Sequence, residues 1–373
     1  MHILFAGGGT AGHINPALAI AGYIRELHPD TRISYIGTKH KLEAKLVPEK
    51  GYNFRTIDIE GFKRSMKPAA IVHNMNVAIK TVTSSVKAKK ILKELSPDLV
   101  IGTGGYVSGP VLREATKLKI PTAIHEQNAY PGITTKMLAD KVDRVMLAMP
   151  EAEKYLNCKN KPTIVGNPIR QELLHADIKL ARKKLGLDSR PLILSFGGSL
   201  GARPINEAVE ELIKWHNGTG KYYHIHATGK SGYETMINRL KSSGVKLAKE
   251  VEVREYITDM DVCLAAADIV ICRAGAITLG EIEALKKPAI LIPSPYVAEN
   301  HQYHNAMTLK NAGAAEVIEQ KDLSGGKLIK EVDRILNDKK LLKSMQKACE
   351  EIAIVDSHER IYAVLSELTG GKI

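Results

Sequence analysis

Short apolar, β-branched runs alternate with stretches of helical periodicity along the whole chain. "HILFA", "RISYIG", "DLVIG", "PTAIHE" and "RVMLA" mark strands in the first half, and "PLILSF", "YYHIHATG", "EVREYI", "DIVICR" and "PAILIPS" in the second. Near-continuous apolar strands separated by helices predict parallel sheets covered on both faces, hence an α/β chain. After the first strand comes a stripe at Ala17, Ile20, Ala21, Ile24 and Leu27, the core-facing side of a helix. Asn15 suits the N-cap of that helix and Pro16 its first position, which sets His13 just outside the helix N-terminus. The two groups of strands predict two units, 1–164 and 165–351, divided near residues 162–168 within the polar, turn-rich "NCKNKPTIVGNPIR". Gly325-Gly326 punctuates a loop before the closing helices, and the final helical stretch "HERIYAVLSELT" could pack on either unit.

Length supports this division, because 373 residues exceed what one hydrophobic core usually organises. With 44% hydrophobic and 25% charged residues the composition is that of a globular chain. No apolar run approaches the roughly 18–20 residues of a membrane-spanning helix. Met1–Gly9 lacks a cationic leader region and reads as a strand rather than a signal peptide, so a cytoplasmic location is expected. Cys158, Cys263, Cys272 and Cys349 are too widely spaced for a CxxC pair or a disulfide framework and read as buried thiols. A net charge of +12 favours a polyanionic partner: nucleic acid, an anionic lipid surface or a phosphorylated substrate.

Four glycine turns follow predicted strands: "GGGTAGH" at 7–13, "VIGTGGYVSGP" at 100–110, "SFGGSLGARPIN" at 195–206 and "ICRAGAITLGE" at 271–281. Glycine lets backbone N–H groups approach an anion, and a helix N-terminus adds unpaired donors with partial positive charge, so phosphate or diphosphate is the natural ligand. Any one such turn could serve geometry alone. Ligands of open α/β sheets lie at the carboxyl ends of the strands, so two halves of this kind are expected to face a shared cleft. A dinucleotide-dependent oxidoreductase would carry an acidic residue at the end of its second strand; here that strand ends "SYIGT". None of the turns ends in the G-K-[ST] of a Walker loop.

Taken in order, "GGGTAGHINPALAIA", "GTGGYVSGP", "HEQNAYPG", "VGNPIR", "FGGSLGARPIN" and "RAGAITLGE" with "ENHQYHNA" resemble the MurG family of bacterial cell-wall glycosyltransferases over nearly the whole chain. The resemblance implies a GT-B fold of two Rossmann-like, doubly wound domains facing a cleft. The C-terminal domain would hold the nucleotide and the N-terminal domain the acceptor, with a last helix, about 352–373, crossing back to the first domain. It implies inverting transfer of N-acetylglucosamine from UDP-GlcNAc to the C4 hydroxyl of MurNAc in the membrane-anchored acceptor lipid I, giving lipid II. The acceptor hydroxyl must lose a proton, which calls for a general base. His13 leads as that base, against the alternative that it only orients the loop or meets a phosphate. Glu126 is second, against a role holding the neighbouring backbone.

The resemblance further implies, position by position, that Thr10, Ala11 and Gly12 lie beside the donor sugar, with Asn128 on its hydroxyls. Arg170 and Ser199 would meet the diphosphate, and Ile257 would read uracil through its backbone. Ala276, Ile277, Thr278 and Glu281 would line the nucleotide pocket, Glu281 on the ribose hydroxyls, and Gln302 would meet the sugar. Gly104, Gly105, Tyr106 and Ser108 would hold the acceptor diphosphate. Glu281 also reads as a first-turn carboxylate welcomed by the helix dipole. The chain departs from the family's usual Thr-Gly-Gly at Thr10-Ala11-Gly12, and "RAGA" and "LGE" stand in a motif often written with serine. "TDMDV" spells a D-x-D, but Thr258 reads as an N-cap with Asp259 and Asp261 as first-turn dipole partners. No dedicated metal site is evident and no cofactor is expected, although a divalent cation such as Mg2+ could stimulate by screening diphosphate.

Residues 61–93 carry Lys63, Arg64, Lys67, Lys80, Lys87, Lys89, Lys90 and Lys93 without one acidic residue, interleaved with Phe62, Met66, Ile71, Val72, Met75, Val77, Ile79 and Val82. The plain reading is a helix with a solvated basic face. With the resemblance in view, peripheral docking on an anionic membrane at its cytoplasmic side is expected, since the acceptor's lipid tail stays in the bilayer. Few aromatics and no nucleic-acid motif argue against nucleic acid. Alternatives are a related UDP-sugar transferase with a diacylglycerol-type acceptor, a UDP-GlcNAc 2-epimerase on a similar fold, and a non-catalytic adaptor binding through the basic segment.

Overall fold

The computed structural model describes residues 1–61 and 68–373. The side chains at 68–76, 78 and 79 also lie outside the description, so Phe62, Lys63, Arg64, Met66, Lys67, Ile71, Val72, Met75 and Ile79 of the basic segment are not placed. The chain divides into two compact units, Met1–Pro168 with Asp356–Ile373, and Ile169–Val355.

The first unit runs β1 (His2–Ala6), α1 (Ala11–Leu27), β2 (Arg32–Gly37), α2 (Glu43–Glu49), β3 (Asn53–Thr56), α3 (Pro68–Leu95), β4 (Leu99–Gly102), α4 (Gly105–Lys117), β5 (Thr122–Glu126), α5 (Ile133–Leu138), β6 (Arg144–Leu147) and β7 (Thr163–Ile164). Its sheet is parallel, in the order β3-β2-β1-β4-β5-β6-β7. Successive strand residues face opposite sides. Leu4 and Ala6 therefore join one core with Leu92, Val111 and Leu138, while Ile3 and Phe5 join another with Ile20, Ile24 and Val47. The second unit runs α6 (Gln171–Leu174), α7 (Ile178–Lys184), β8 (Leu192–Phe196), α8 (Arg203–His216), β9 (Tyr223–Ala227), α9 (Tyr233–Ser242), β10 (Val251–Arg254), α10 (Met260–Ala266), β11 (Ile269–Cys272), α11 (Ala276–Ala284), β12 (Ala289–Leu291), α12 (His301–Asn311), β13 (Ala315–Val317), α13 (Gly325–Asn337) and α14 (Lys339–Ile352). This sheet is also parallel, ordered β10-β9-β8-β11-β12-β13.

After α14 the chain returns to the first unit as α15 (Ser357–Leu368), whose Ile361, Val364 and Leu365 are buried with Ile20 and Ile24 of α1. Strand order reverses between β1 and β4 in one unit and between β8 and β11 in the other. The loops after those strands are the ligand positions of doubly wound sheets. All ten strands expected from apolar runs are present. The sequence reading omitted β3, β7 and β13, which lie at or next to a sheet edge and span only two to four residues, too short for periodicity to register. Among the described residues no helix is long and apolar enough to cross a membrane.

Candidate active-site loops at the two switch points

In the first unit the opening turn is shaped by close approach as much as by ligand binding. A Cβ on Gly7 would collide with Thr103 Oγ1, and one on Gly8 would meet the Glu43 carboxylate at 2.5 Å. Gly9 has φ +89°, left-handed backbone that glycine alone adopts freely. The buried Glu43 carboxylate accepts the Gly9 N–H at 3.1 Å and the Thr38 N–H and hydroxyl at 3.1 and 2.7 Å. The Gly9 amide is thus already paired with a carboxylate, and that carboxylate's field opposes an anion beside Gly8 and Gly9. The expectation of a phosphate at this first turn thus meets an amide already engaged and a facing carboxylate.

Helix α1 begins at Ala11 with Thr10 as N-cap, not at Pro16 with Asn15 capping. Pro16 sits inside the helix, where its missing N–H leaves the Gly12 carbonyl without its helical donor. His13 therefore belongs to the first turn of α1. Thr10, Ala11 and Gly12 are exposed at that N-terminus, which carries no acidic first-turn residue and no side-chain cap bond.

His13 is half-buried, its Nδ1 lying 3.1 Å from the Thr103 carbonyl after β4 and 3.3 Å from Gln127 Oε1 after β5. The Thr103 hydroxyl donates back to the His13 carbonyl at 2.7 Å. Gly104, φ +99°, makes room for the ring, since a Cβ there would stand 2.7 Å from His13 Nδ1. Two strand-end loops thus hold the imidazole of α1.

Glu126 is differently placed from a base. Its buried carboxylate accepts four hydrogen bonds, from the Asn128 N–H (3.1 Å), Asn128 Nδ2 (3.0 Å), the Gly132 N–H (3.0 Å) and the Thr135 hydroxyl (2.5 Å). A carboxylate offers about four lone-pair sites, so these donors fill it and leave none for a substrate proton. The assignment of Glu126 as a candidate base is corrected to a positioning role for the "HEQNAYPG" loop, including the Asn128 side chain. Ser108 is likewise committed: fully buried, its hydroxyl lies 2.7 and 2.8 Å from the Ala6 and Gly104 carbonyls, which share its single proton, and accepts the Gly104 N–H. Its expected contact with a diphosphate is corrected to support of the turn. What remains for an anion is the N-terminus of α4 at Gly105 and Tyr106, with no acidic first-turn residue and no side-chain cap bond.

In the second unit Arg170 Nε donates to Glu281 Oε1 at 2.8 Å, Glu281 being buried and Arg170 half-exposed. Burial pushes the Glu281 carboxyl up from its ordinary value, and Arg170 opposes that shift. Glu281 lies in the second turn of α11, not the first, so its environment is set by burial and Arg170 rather than by the helix end. The α11 N-terminus, with Ala276, Ile277 and Thr278, has no acidic residue in its first turn and no side-chain cap. Ser199 is exposed in the turn after β8. There a Cβ on Gly201 would strike the Thr228 carbonyl, so the β8 and β9 loops touch through glycine backbone. Ile257 is buried in the connection from β10 to α10. Asp259, not Thr258, stands at the N-cap position of α10; its side chain makes no cap bond and pairs with Arg254 at 2.7 Å. Among the described residues no group of three or more His, Cys, Asp or Glu side chains is arranged to hold a metal ion.

Gln302, at the start of α12, accepts the Ser294 N–H at 2.8 Å and so ties down the loop after β12. Sequence reasoning missed several supports: Thr103, Gln127, Glu43, and Asn305, whose buried amide donates to the Ala274 carbonyl below the α11 turn at 3.2 Å. Asn305 and Gln127 stood inside quoted motifs, and their polarity beside apolar strand ends was the available signal.

The chain matches the glycosyltransferase family 28 N-terminal domain over residues 3–147 and the family's C-terminal domain over residues 192–361. It is 46% identical to the UDP-N-acetylglucosamine--N-acetylmuramyl-(pentapeptide) pyrophosphoryl-undecaprenol N-acetylglucosamine transferase of Acetivibrio thermocellus, covering 100% of this chain and 99% of the relative. It is 43% identical to the protein of the same name from Caldanaerobacter subterraneus, covering 99% and 100%. The crystal structure of Acinetobacter baumannii MurG superposes with a TM-score of 0.78 at 27% identity, covering 98% of this chain and 99% of that one. With both domains present in order and full-length relatives of this similarity, the chain belongs to glycosyltransferase family 28.

Proposed function

We propose that this chain is an inverting, UDP-GlcNAc-dependent N-acetylglucosaminyltransferase that acts on the C4 hydroxyl of MurNAc in lipid I and produces lipid II. The observation that carries the reading is its end-to-end similarity to transferases named for this reaction. The site chemistry agrees. His13 takes the proton of the acceptor hydroxyl as that oxygen bonds to the anomeric carbon and the bond from that carbon to the UDP oxygen breaks. A single displacement inverts the anomeric configuration. The α4 N-terminus at Gly105 and Tyr106 suits the acceptor diphosphate. Glu281, braced by Arg170, accepts hydrogen bonds from the ribose hydroxyls. The exposed first turn of α1 offers donors to the sugar, and the half-buried Ile277 and Thr278 of the α11 N-terminus offer donors to the nucleotide, where they stabilise the departing UDP charge without proton transfer. The reading includes Asn128 and Gln302 on the sugar, Ser199 on the diphosphate and the Ile257 backbone on uracil. It needs no resident cofactor, with Mg2+ acting at most as a screen of diphosphate charge.

The reading also includes peripheral docking on an anionic membrane at its cytoplasmic side. Support comes from the placed part of α3, where Val82 and Val86 are 66% and 68% exposed beside the exposed Lys87, Lys89, Lys90 and Lys93. Lys80 is less available, being paired with Glu60 and Asp58. Reversing Lys87, Lys89 and Lys90 to glutamate is expected to abolish sedimentation with phosphatidylglycerol vesicles and to leave transfer to a soluble acceptor intact.

The test of the reaction is transfer of radiolabelled GlcNAc to a lipid I analogue, with diacylglycerol as a second acceptor and an arm lacking acceptor. Label appearing in the lipid I analogue alone is the expected result. Transfer to diacylglycerol only, or conversion of UDP-GlcNAc without acceptor, replaces this reading with the corresponding alternative.

A further inference from the structure

His13 Nδ1 is met by two oxygens, the Thr103 carbonyl and Gln127 Oε1. Gln127 is itself oriented from its far end. The buried His125 ring places Nε2 3.0 Å from the Gly166 carbonyl, which only accepts, so the proton of neutral His125 sits on Nε2. Burial lowers the His125 pKa, in keeping with that neutral form. His125 Nδ1 is then an acceptor, and it faces Gln127 Nε2 at 3.0 Å; the same nitrogen donates to the His125 carbonyl at 2.9 Å. Both amide hydrogens of Gln127 are thereby used, and its oxygen must turn toward His13. The Asn167 amide holds the Gln127 backbone carbonyl at 3.2 Å.

The geometry points to Gln127 as a positioning residue that, with Thr103, locks His13 in the Nδ1–H tautomer and makes Nε2 the proton-accepting atom. Two acceptor-only carbonyls, Gly166 at one end and Thr103 at the other, force the same assignment through the chain Gly166–His125–Gln127–His13. Among the described residues His13 Nε2 has no hydrogen-bond partner. When Nε2 receives a proton, the two oxygens at Nδ1 face the imidazolium without rearranging. Gln127 is a neutral counterpart of the carboxylate that orients histidine in hydrolytic triads. The inference rests on the reading of His13 as the base, and it can be tested apart from it.

The test uses the full chain with histidine labelled by 15N and long-range 1H–15N correlation at neutral pH, the His13 signals identified by their loss in His13→Asn. Wild type is expected to show one tautomer protonated at Nδ1; protonation at Nε2 overturns the proposal without recourse to any variant. Gln127→Met, similar in shape but without the acceptor, is expected to mix the tautomers and lower kcat on the order of tenfold to a hundredfold, with donor KM little changed. A Met variant with unaltered tautomer and kcat overturns it. If the tautomer behaves as described while His13→Ala keeps wild-type turnover, the lock stands and the reading of His13 as base falls.

Discussion

At the scale of single residues, similar side chains are assigned opposite roles by how many partners they already have. Glu126 and Glu281 both stand in motifs that invite a catalytic reading, yet four donors converge on the first carboxylate while Arg170 braces the second. Glu126→Ala strips the acceptor from two backbone amides, an amide side chain and a hydroxyl, and should destabilise the first unit by about 1–3 kcal/mol or more in urea denaturation. After correction for the folded fraction its kcat should remain well above that of His13→Ala, for which removal of a general base costs on the order of 10²–10⁴. Glu281→Gln should raise the donor KM and change kcat much less. Its effect on stability follows from the raised carboxyl pKa. A raised value contributes stability at pH below the unfolded value and loses it as pH rises through the folded one. The ionised group therefore disfavours folding at neutral pH, and the glutamine variant should be at least as stable as wild type by thermal melting at pH 7. The residue types were legible in the sequence; the number of donors around each carboxylate was not.

Elements add a second level, and the β8–β9 pair illustrates it. "YYHIHATG" reads as a strand, and alternation puts His224 and His226 on one face. Register sets Ser195 of β8 opposite His226, and its hydroxyl lies 2.7 Å from both His224 Nε2 and His226 Nδ1. His216, at the end of α8, meets His224 Nδ1 at 2.9 Å, and Asn206 Oδ1 lies 3.2 Å from His226 Nε2. Burial drives His216 and His226 down to about 4 and His224 well below its ordinary value. Depressed histidines bind protons in the unfolded chain first. Their contribution is complete above about pH 6.5 and is lost as pH falls toward the folded values, each ring adding up to about 1.4 kcal/mol per pH unit. The chain's single tryptophan, Trp215, lies beside this cluster in α8. The urea midpoint of its fluorescence should be clearly lower at pH 5 than at pH 7, and an unchanged midpoint would contradict the buried neutral network. A histidine-rich strand was visible in the sequence; that serine satisfies it depends on pairing between residues 29 and 31 positions apart, where local pattern carries no information.

For the whole molecule, the consequential event is the return of α15 to the first unit. Leu365 is fully buried, in one core cluster with Ile20, Ile24 and Ile361. Leu365→Ala should cost about 2–5 kcal/mol and speed hydrogen exchange at β1 and α1, with amides of β8 and β11 as the internal reference. Truncation before Ser357 should act in the same direction and more strongly. Sequence alone determined the class of fold, since apolar runs alternating with helical stripes admit little besides covered parallel sheets, and it located the glycine loops, since turns follow strands in order. It also determined that the chain has two units, because length and a polar break between two sets of strands are properties of the linear pattern. Tertiary structure decided where the last helix packs, which partners engage each carboxylate, and which nitrogen of His13 holds its proton. Each of those depends on atoms far apart in the chain being brought within about 3 Å, and hydrogen-bond satisfaction at that range is a property of position, not of spacing along the sequence.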